Sequence, residues 1–213
     1  MSYDSLIEAT KFHKSNSDHW IGESLAEYKH NIYNIIKDNN VKTILDYGCG
    51  KAVFHKLLFN NKKTPGAPME ITLIGYDPAV EMFSLKPSNQ TKFDLVMCID
   101  VMEHVQEDKI EEVLSDLFSY GDRIFMTITC YPATQILLNG LNAHYTVKDP
   151  DWWKEKLRAY KDKCTVIFQT KVNRSKMTVN KEEWIPNKET LKRLSSQDNR
   201  LDETQLEKAK LLK

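Results

Sequence analysis

The sequence predicts an α/β fold: a three-layer, doubly wound, mostly parallel sheet that ends in a C-terminal antiparallel hairpin. Three observations carry that expectation. Short apolar, β-branched runs (VKTIL, ITLIG, FDLVMCI, RIFMTIT and CTVIF) alternate with segments of helical periodicity. Near-continuous apolar runs of this kind suit strands buried on both faces, and strands separated by helices run parallel. The first run ends in an Asp and then a Gly-x-Gly turn, ILDYGCGKA over residues 44–52, at the carboxyl end of the strand, where such sheets meet ligands.

Taken in order, residues 1–40 are polar and helix-friendly and read as a helical lid. Trp20, Ile21, Leu25, Tyr28, Ile32, Ile35 and Ile36 recur at helical spacing, which predicts a helix over about 20–38 that stops at Asp38-Asn39-Asn40. VFHKLLFN after the glycine turn also has helical spacing, and NNKKTPGAP reads as an exposed loop. ITLIGYDP is the second strand. The stretch from Asp77 to Phe93 leaves little room for a full helix and a further strand, so that edge of the sheet is expected to be reduced. DKIEEVLSDLFSY and DWWKEKLRAYKDK read as helices, and VNRS as the turn of the last hairpin. One domain is expected over 1–187, followed by a charged helix or tail over 188–213.

Composition bounds the function. A chain of 213 residues suits one domain, and 41% hydrophobic and 28% charged residues with seven Gly and seven Pro exclude collagenous, low-complexity and broadly disordered classes. Thirty Lys+Arg balance thirty Asp+Glu, so no global field draws the chain to phosphate backbones or anionic lipid, and nucleic acid is a disfavoured partner. No basic-then-apolar leader is present and no segment reaches the roughly 18 apolar residues of a membrane span; the expected location is cytoplasmic. Cys49, Cys98, Cys130 and Cys164 are widely spaced without a CxxC pair, which predicts reduced thiols, most of them behaving as small buried hydrophobes.

In the glycine turn, Gly48 and Gly50 let the backbone bend tightly and approach a ligand where a Cβ would collide. Asp46 supplies a negative charge for a ligand cation, and Asp77, ending the second strand, can accept hydrogen bonds from ribose hydroxyls. Leu45-Asp46-Tyr47-Gly48-Cys49-Gly50-Lys51-Ala52 resembles the first motif, L-D-x-G-C-G-x-G, of the class I S-adenosylmethionine (SAM)-dependent methyltransferase superfamily. FDLVMCIDVMEHV, residues 93–105, is similar to the fourth strand and D-V-L-E-H-V loop of many members. The resemblance covers roughly residues 41–130. It implies a class I methyltransferase-like fold, SAM as cofactor with S-adenosylhomocysteine as product, and cofactor contacts at Asp46, Gly48, Cys49, Gly50, Asp77, Pro78, Ile99 and Asp100. Two departures stand out: Ala52 replaces the third glycine, and the usual acidic contact to the adenine amino group has no clear counterpart. A dinucleotide-binding reading is less well supported, because the third position after Gly50 is Val53 and Asp46 would repel a pyrophosphate.

Methyl transfer is a displacement at a sulfonium carbon, so alignment matters most and a base is needed only for some acceptors. His104, just after the fourth strand of that motif set, and His144, in the loop region after the next strand, are the candidate bases. An alternative for Glu103 and His104 is a structural cap. Resemblance to quinone-pathway O-methyltransferases implies that an acid-x-x-Glu-His segment, here Asp100, Glu103 and His104, holds a divalent metal; residue chemistry by itself assigns no metal site. Residues 130–157 resemble an N-A-H then W-W pattern of some bacterial and phage methyltransferase-like proteins, which offers Tyr131, Asn142, Trp152 and Trp153 as substrate-binding residues. The competing reading caps a helix with Asp149-Pro150-Asp151 and packs one Trp on the sheet. Lys11, His13, His19 and Trp20 are candidates within the lid.

The leading expectation is a SAM-dependent methyltransferase acting at O or N of a small or medium-sized acceptor. The absence of an N-P-P-Y-type segment argues against DNA-base N-methylation. One alternative is a SAM-binding protein without transfer activity, acting as a sensor, a partner subunit or another SAM-consuming enzyme. Another is an RNA-modifying enzyme using Lys51, Lys56, Lys62 and Lys63 as a local basic patch. The residues name neither the acceptor nor the oligomeric state.

Overall fold

A computed structural model describes residues 4–15, 22–55, 71–173 and 178–185. Its elements are α1 (Asp4–Ser15), α2 (Ser24–Asn39), β1 (Thr43–Tyr47), β2 (Thr72–Tyr76), β3 (Leu95–Ile99), α3 (Ile110–Ser119), β4 (Ile124–Thr129), α4 (Pro150–Lys156), β5 (Cys164–Asn173) and β6 (Thr178–Trp184). The six strands form one sheet in the order β2-β1-β3-β4-β5-β6. All neighbours are parallel except β5 and β6, which pair antiparallel. The expected α/β class and terminal antiparallel pair are therefore present. Between Asp77 and Phe93 the chain makes only a short 3-10 helix at Glu81–Phe83, and β2 is left as the sheet edge.

The sheet is buried on both faces because successive strand residues point to opposite sides. Leu45, Tyr47, Ile74, Tyr76, Val96, Cys98, Met126 and Phe168 pack on one face with α3 and Trp153. Ile44, Leu73, Leu95, Met97, Phe125 and Ile167 pack on the other with Leu25, Tyr28, Ile32 and Ile36 of α2. The three- and four-residue spacing of those α2 positions makes a single apolar stripe, as does that of Ile110, Val113, Leu114, Leu117 and Phe118 in α3.

Two helix boundaries differ from the periodicity. Where one helix is expected over about 20–38, α2 starts only at Ser24, because Gly22 sits at φ 81°, in the left-handed region, and a Cβ there would meet the Cys49 carbonyl at 3.1 Å. A separate α1 precedes it. The helix expected from Asp151 to Lys163 ends at Lys156, with fully buried Leu157 as its cap and a 3-10 turn at Arg158–Tyr160. The VFHKLLFN helix beyond His55, the NNKKTPGAP loop, the turn after Asn173 and the helix expected over 188–213 lie outside the described residues. Among the described residues no helix is long and apolar enough to cross a membrane, and all four cysteines are free thiols, with Cys130 half-buried and the other three buried.

Candidate active site

A cleft of about 1160 Å³ opens where the carboxyl ends of β1 to β4 meet α1 and the loop after β4. That exceeds the roughly 300–1,000 Å³ of an ordinary small-ligand pocket and leaves room for two molecules side by side.

One wall is the glycine turn. Gly48 has φ 82°, and a Cβ built on it would lie 2.3 Å from Val101 Cγ2, so both its backbone conformation and its neighbour demand glycine. The amides of Gly48 and Cys49 donate to the Tyr76 carbonyl at 2.7 and 3.2 Å, fastening the turn to β2. Asp77 ties the same region together: its carboxylate accepts from Gly50 N and Ala79 N, each at 2.9 Å. Burial raises the Asp77 pKa while those two amides pull it back down. Asp46 is paired with His55, Oδ2 to Nε2 at 2.6 Å, both side chains nearly enclosed. Burial, and then the nearby Asp46 and Asp77 carboxylates, push the Cys49 thiol up, so it stays protonated.

The opposite wall follows β3 and β4. Asp100 adopts φ 53°, a strained conformation for a non-glycine residue. Its N–H donates to Thr127 Oγ1 at 2.9 Å, while Oδ1 accepts from Thr127 Oγ1 at 2.6 Å and from Gln169 Nε2 at 3.0 Å. Glu103 is fully buried; one carboxylate oxygen accepts from Thr129 N at 3.0 Å, and Oε2 has no hydrogen-bond partner among the described residues. Burial, reinforced by Asp100, raises its carboxyl well above the usual range. His104 and His144 stand edge to face with ring centroids 4.9 Å apart. His104 Nδ1 lies 2.8 Å from Ala143 O, and His144 Nδ1 lies 2.6 Å from Tyr131 O. A carbonyl only accepts, so both Nδ1 atoms carry the proton and Nε2 is the basic position of each ring. Burial and the neighbouring His144 lower the His104 pKa to about 4, and burial lowers that of His144.

Residues 18–121 match the family model described as a methyltransferase domain. This segment is similar to methyltransferase domains. No curated protein sequence matches the chain. Among solved structures, an aspartate aminotransferase from Thermus thermophilus with maleate is similar at 10% identity and a TM-score of 0.41, with 97% of this chain and 60% of that chain covered. The chain therefore spans 60% of the length of that structure.

The fold brings most of the expected residues to one cleft: Asp46, Gly48, Cys49, Gly50, Asp77, Pro78, Ile99 and Asp100, together with His104, Tyr131 and His144. His13 of α1 lines it too, and burial with Lys51 nearby lowers its pKa to about 4. Three expectations for acceptor contact are corrected. Trp153 is fully buried in the core against the sheet. Trp152, held by the Asp149 cap through its N–H at 2.9 Å, faces Lys148 and Lys156. Neither lines the cleft, because the cap sets α4 so that adjacent positions point to the core and to its border. Asn142 braces the loop instead: Oδ1 accepts from Ala133 N and His144 N, each at 3.0 Å, and Nδ2 donates to Ala133 O at 2.9 Å. Lys11 pairs with Glu8 on α1. His19, Trp20, Lys56, Lys62 and Lys63 lie outside the described residues.

Sequence reasoning missed His55, Thr127, Thr129 and Gln169 as partners of the cleft's acids. It also missed how α1 is seated, with Phe12 packed on Leu137 and Ala143 of the loop after β4. The only available signal was for His55, a titratable residue inside the run of helical spacing that follows the glycine turn in the sequence.

Proposed function

We propose that the chain transfers the methyl group of SAM to an oxygen or nitrogen of a small or medium-sized acceptor bound in the same cleft. The observation that carries the reading is the pairing of two walls: a methyltransferase glycine turn with Asp77 on one, two Nδ1-anchored histidines on the other. The cradle suits the cofactor, because Gly48, Cys49 and Gly50 line the cleft with a tight turn and the buried Asp77 carboxylate borders that turn. When bound, SAM supplies an activated methyl on a sulfonium, a good leaving group that needs no further activation.

In this reading Gly48, Cys49 and Gly50 present backbone to the cofactor. Asp77 takes hydrogen bonds from ribose hydroxyls with the acceptor capacity its two amide bonds leave unused, since a carboxylate has about four lone-pair positions. Asp46, oriented by His55, would meet the cofactor's ammonium group, and Pro78, Ile99 and Asp100 would border the cofactor. Tyr131 borders the acceptor. His104 or His144, neutral at pH 7, would take the proton of a hydroxyl acceptor through Nε2.

Calorimetric titration with SAM, S-adenosylhomocysteine and NAD tests the first half. Micromolar binding of both sulfur ligands, no binding of NAD and loss of the signal in Asp77→Ala are expected; no SAM binding overturns the reading. Binding without turnover across hydroxyl and amine acceptors would favour the non-catalytic SAM-binding alternative.

A further inference from the structure

We propose that Glu103, His104 and His144 bind one divalent transition-metal ion in the cleft. One ligand-capable atom from each lies within 4.8 Å of the others. Bonds of roughly 2.0–2.1 Å in a tetrahedral site set ligand atoms about 3.3 Å apart, so a small closing movement of the side chains completes the set.

Two features beyond proximity point to an ion. Metal-ligating histidines commonly donate the other ring N–H to a carbonyl, which fixes tautomer and orientation; both His104 and His144 do this, to Ala143 O and Tyr131 O. A fully buried carboxylate with an unpartnered oxygen is costly unless something neutralises or coordinates it, and Glu103 Oε2 is such an atom among the described residues. The rings also touch edge to face, which accounts for their packing but leaves the Glu103 oxygen unexplained.

The donor set is two imidazoles and one carboxylate. That chemistry suits Zn2+, Co2+ or Fe2+ with open positions for a ligand, and it disfavours Mg2+, which prefers all-oxygen surroundings. Asp100 stands outside the set, its Oδ1 already bonded to Thr127 and Gln169, and His144 from a distant loop takes its place. The three ligands line the cleft. The ion's use rests on the methyl-transfer reading: an ion there would lower the pKa of an acceptor hydroxyl so that its proton passes to solvent water, and the two imidazoles would hold the ion and no longer serve as bases.

The test uses the full chain stripped with chelator and titrated with Zn2+ and Mg2+ by calorimetry, with Co2+ absorption as a second readout. One Zn2+ per chain is expected, bound at least about a hundredfold more tightly than Mg2+, with Co2+ bands of low coordination number. His144→Ala and Glu103→Gln each weaken Zn2+ at least about tenfold, while Asp100→Asn stays within about threefold. Circular dichroism checks each variant's fold, and His144→Ala, in a loop, keeps the test open should the Glu103 variant misfold. Absent Zn2+ binding, or binding unchanged in His144→Ala, overturns the proposal. SAM titrated into the same samples separates the two readings. SAM binding without Zn2+ overturns the metal site alone, and Zn2+ binding without SAM supports the metal site and overturns methyl transfer.

Discussion

The two walls of the cleft are built on opposite principles. Along the glycine turn the carboxylates and turn amides are bonded within the fold, with His55 Nδ1 left without a partner among the described residues: Asp77 is bonded to Gly50 N and Ala79 N, Asp46 to His55, and the turn amides of Gly48 and Cys49 to Tyr76 O. Along β3 and β4, a buried carboxylate oxygen is left unpartnered among the described residues beside two imidazoles. A wall whose carboxylates are already bonded is preorganised to bind, whereas one that keeps a desolvated carboxylate oxygen unpartnered is suited to chemistry.

The sharpest way to break that contrast is Gly48→Ala. The new Cβ meets Val101 at 2.3 Å on a backbone at φ 82°, so stability should fall by about 3–5 kcal/mol and SAM binding should vanish with it. Denaturant unfolding checks this, and a loss below 1 kcal/mol would mean the turn is not rigid. Next in size, Asp77→Asn replaces one acceptor oxygen by an NH2 that cannot accept from Gly50 N or Ala79 N. SAM affinity measured by calorimetry should drop by about 10- to 100-fold, the order expected when a charged acceptor of amide hydrogen bonds is lost. An unchanged affinity would remove Asp77 from the binding wall.

Glu103→Gln probes the other wall. The amide oxygen can keep the Thr129 N bond, so the melting curve should correspond to a change of less than about 1 kcal/mol. A loss of several kcal/mol would show that Glu103 is structural and dissolve the contrast. The smallest effect is expected from Ala52→Gly. Ala52 has φ 53°, where a Cβ costs roughly 1–2 kcal/mol, partly offset by the extra chain entropy of glycine. A gain of a few tenths to about 1 kcal/mol follows, and a loss would mean that the Ala52 methyl group packs usefully.

What the sequence determined by itself was set within a few residues of chain. Strand and helix alternation follows from local periodicity, the glycine turn from backbone needs at Gly48 and Gly50, and Asp77 from its position at a strand end. Even the helix cap at Asp149 was readable, since Asp-Pro before an apolar turn has a local cause. Only the tertiary structure decided which side chains meet. His104 reaches Ala143 across 39 residues and Asp100 reaches Gln169 across 69, contacts set by strand order and register, which leave no spacing in the chain to read. The same reason misdirected Trp152, Trp153 and Asn142: their residue types suit recognition, but the rotation of α4 and the bracing of the loop after β4 direct them to packing and support. Local chemistry names candidates, and the register of the sheet decides which of them share a cleft.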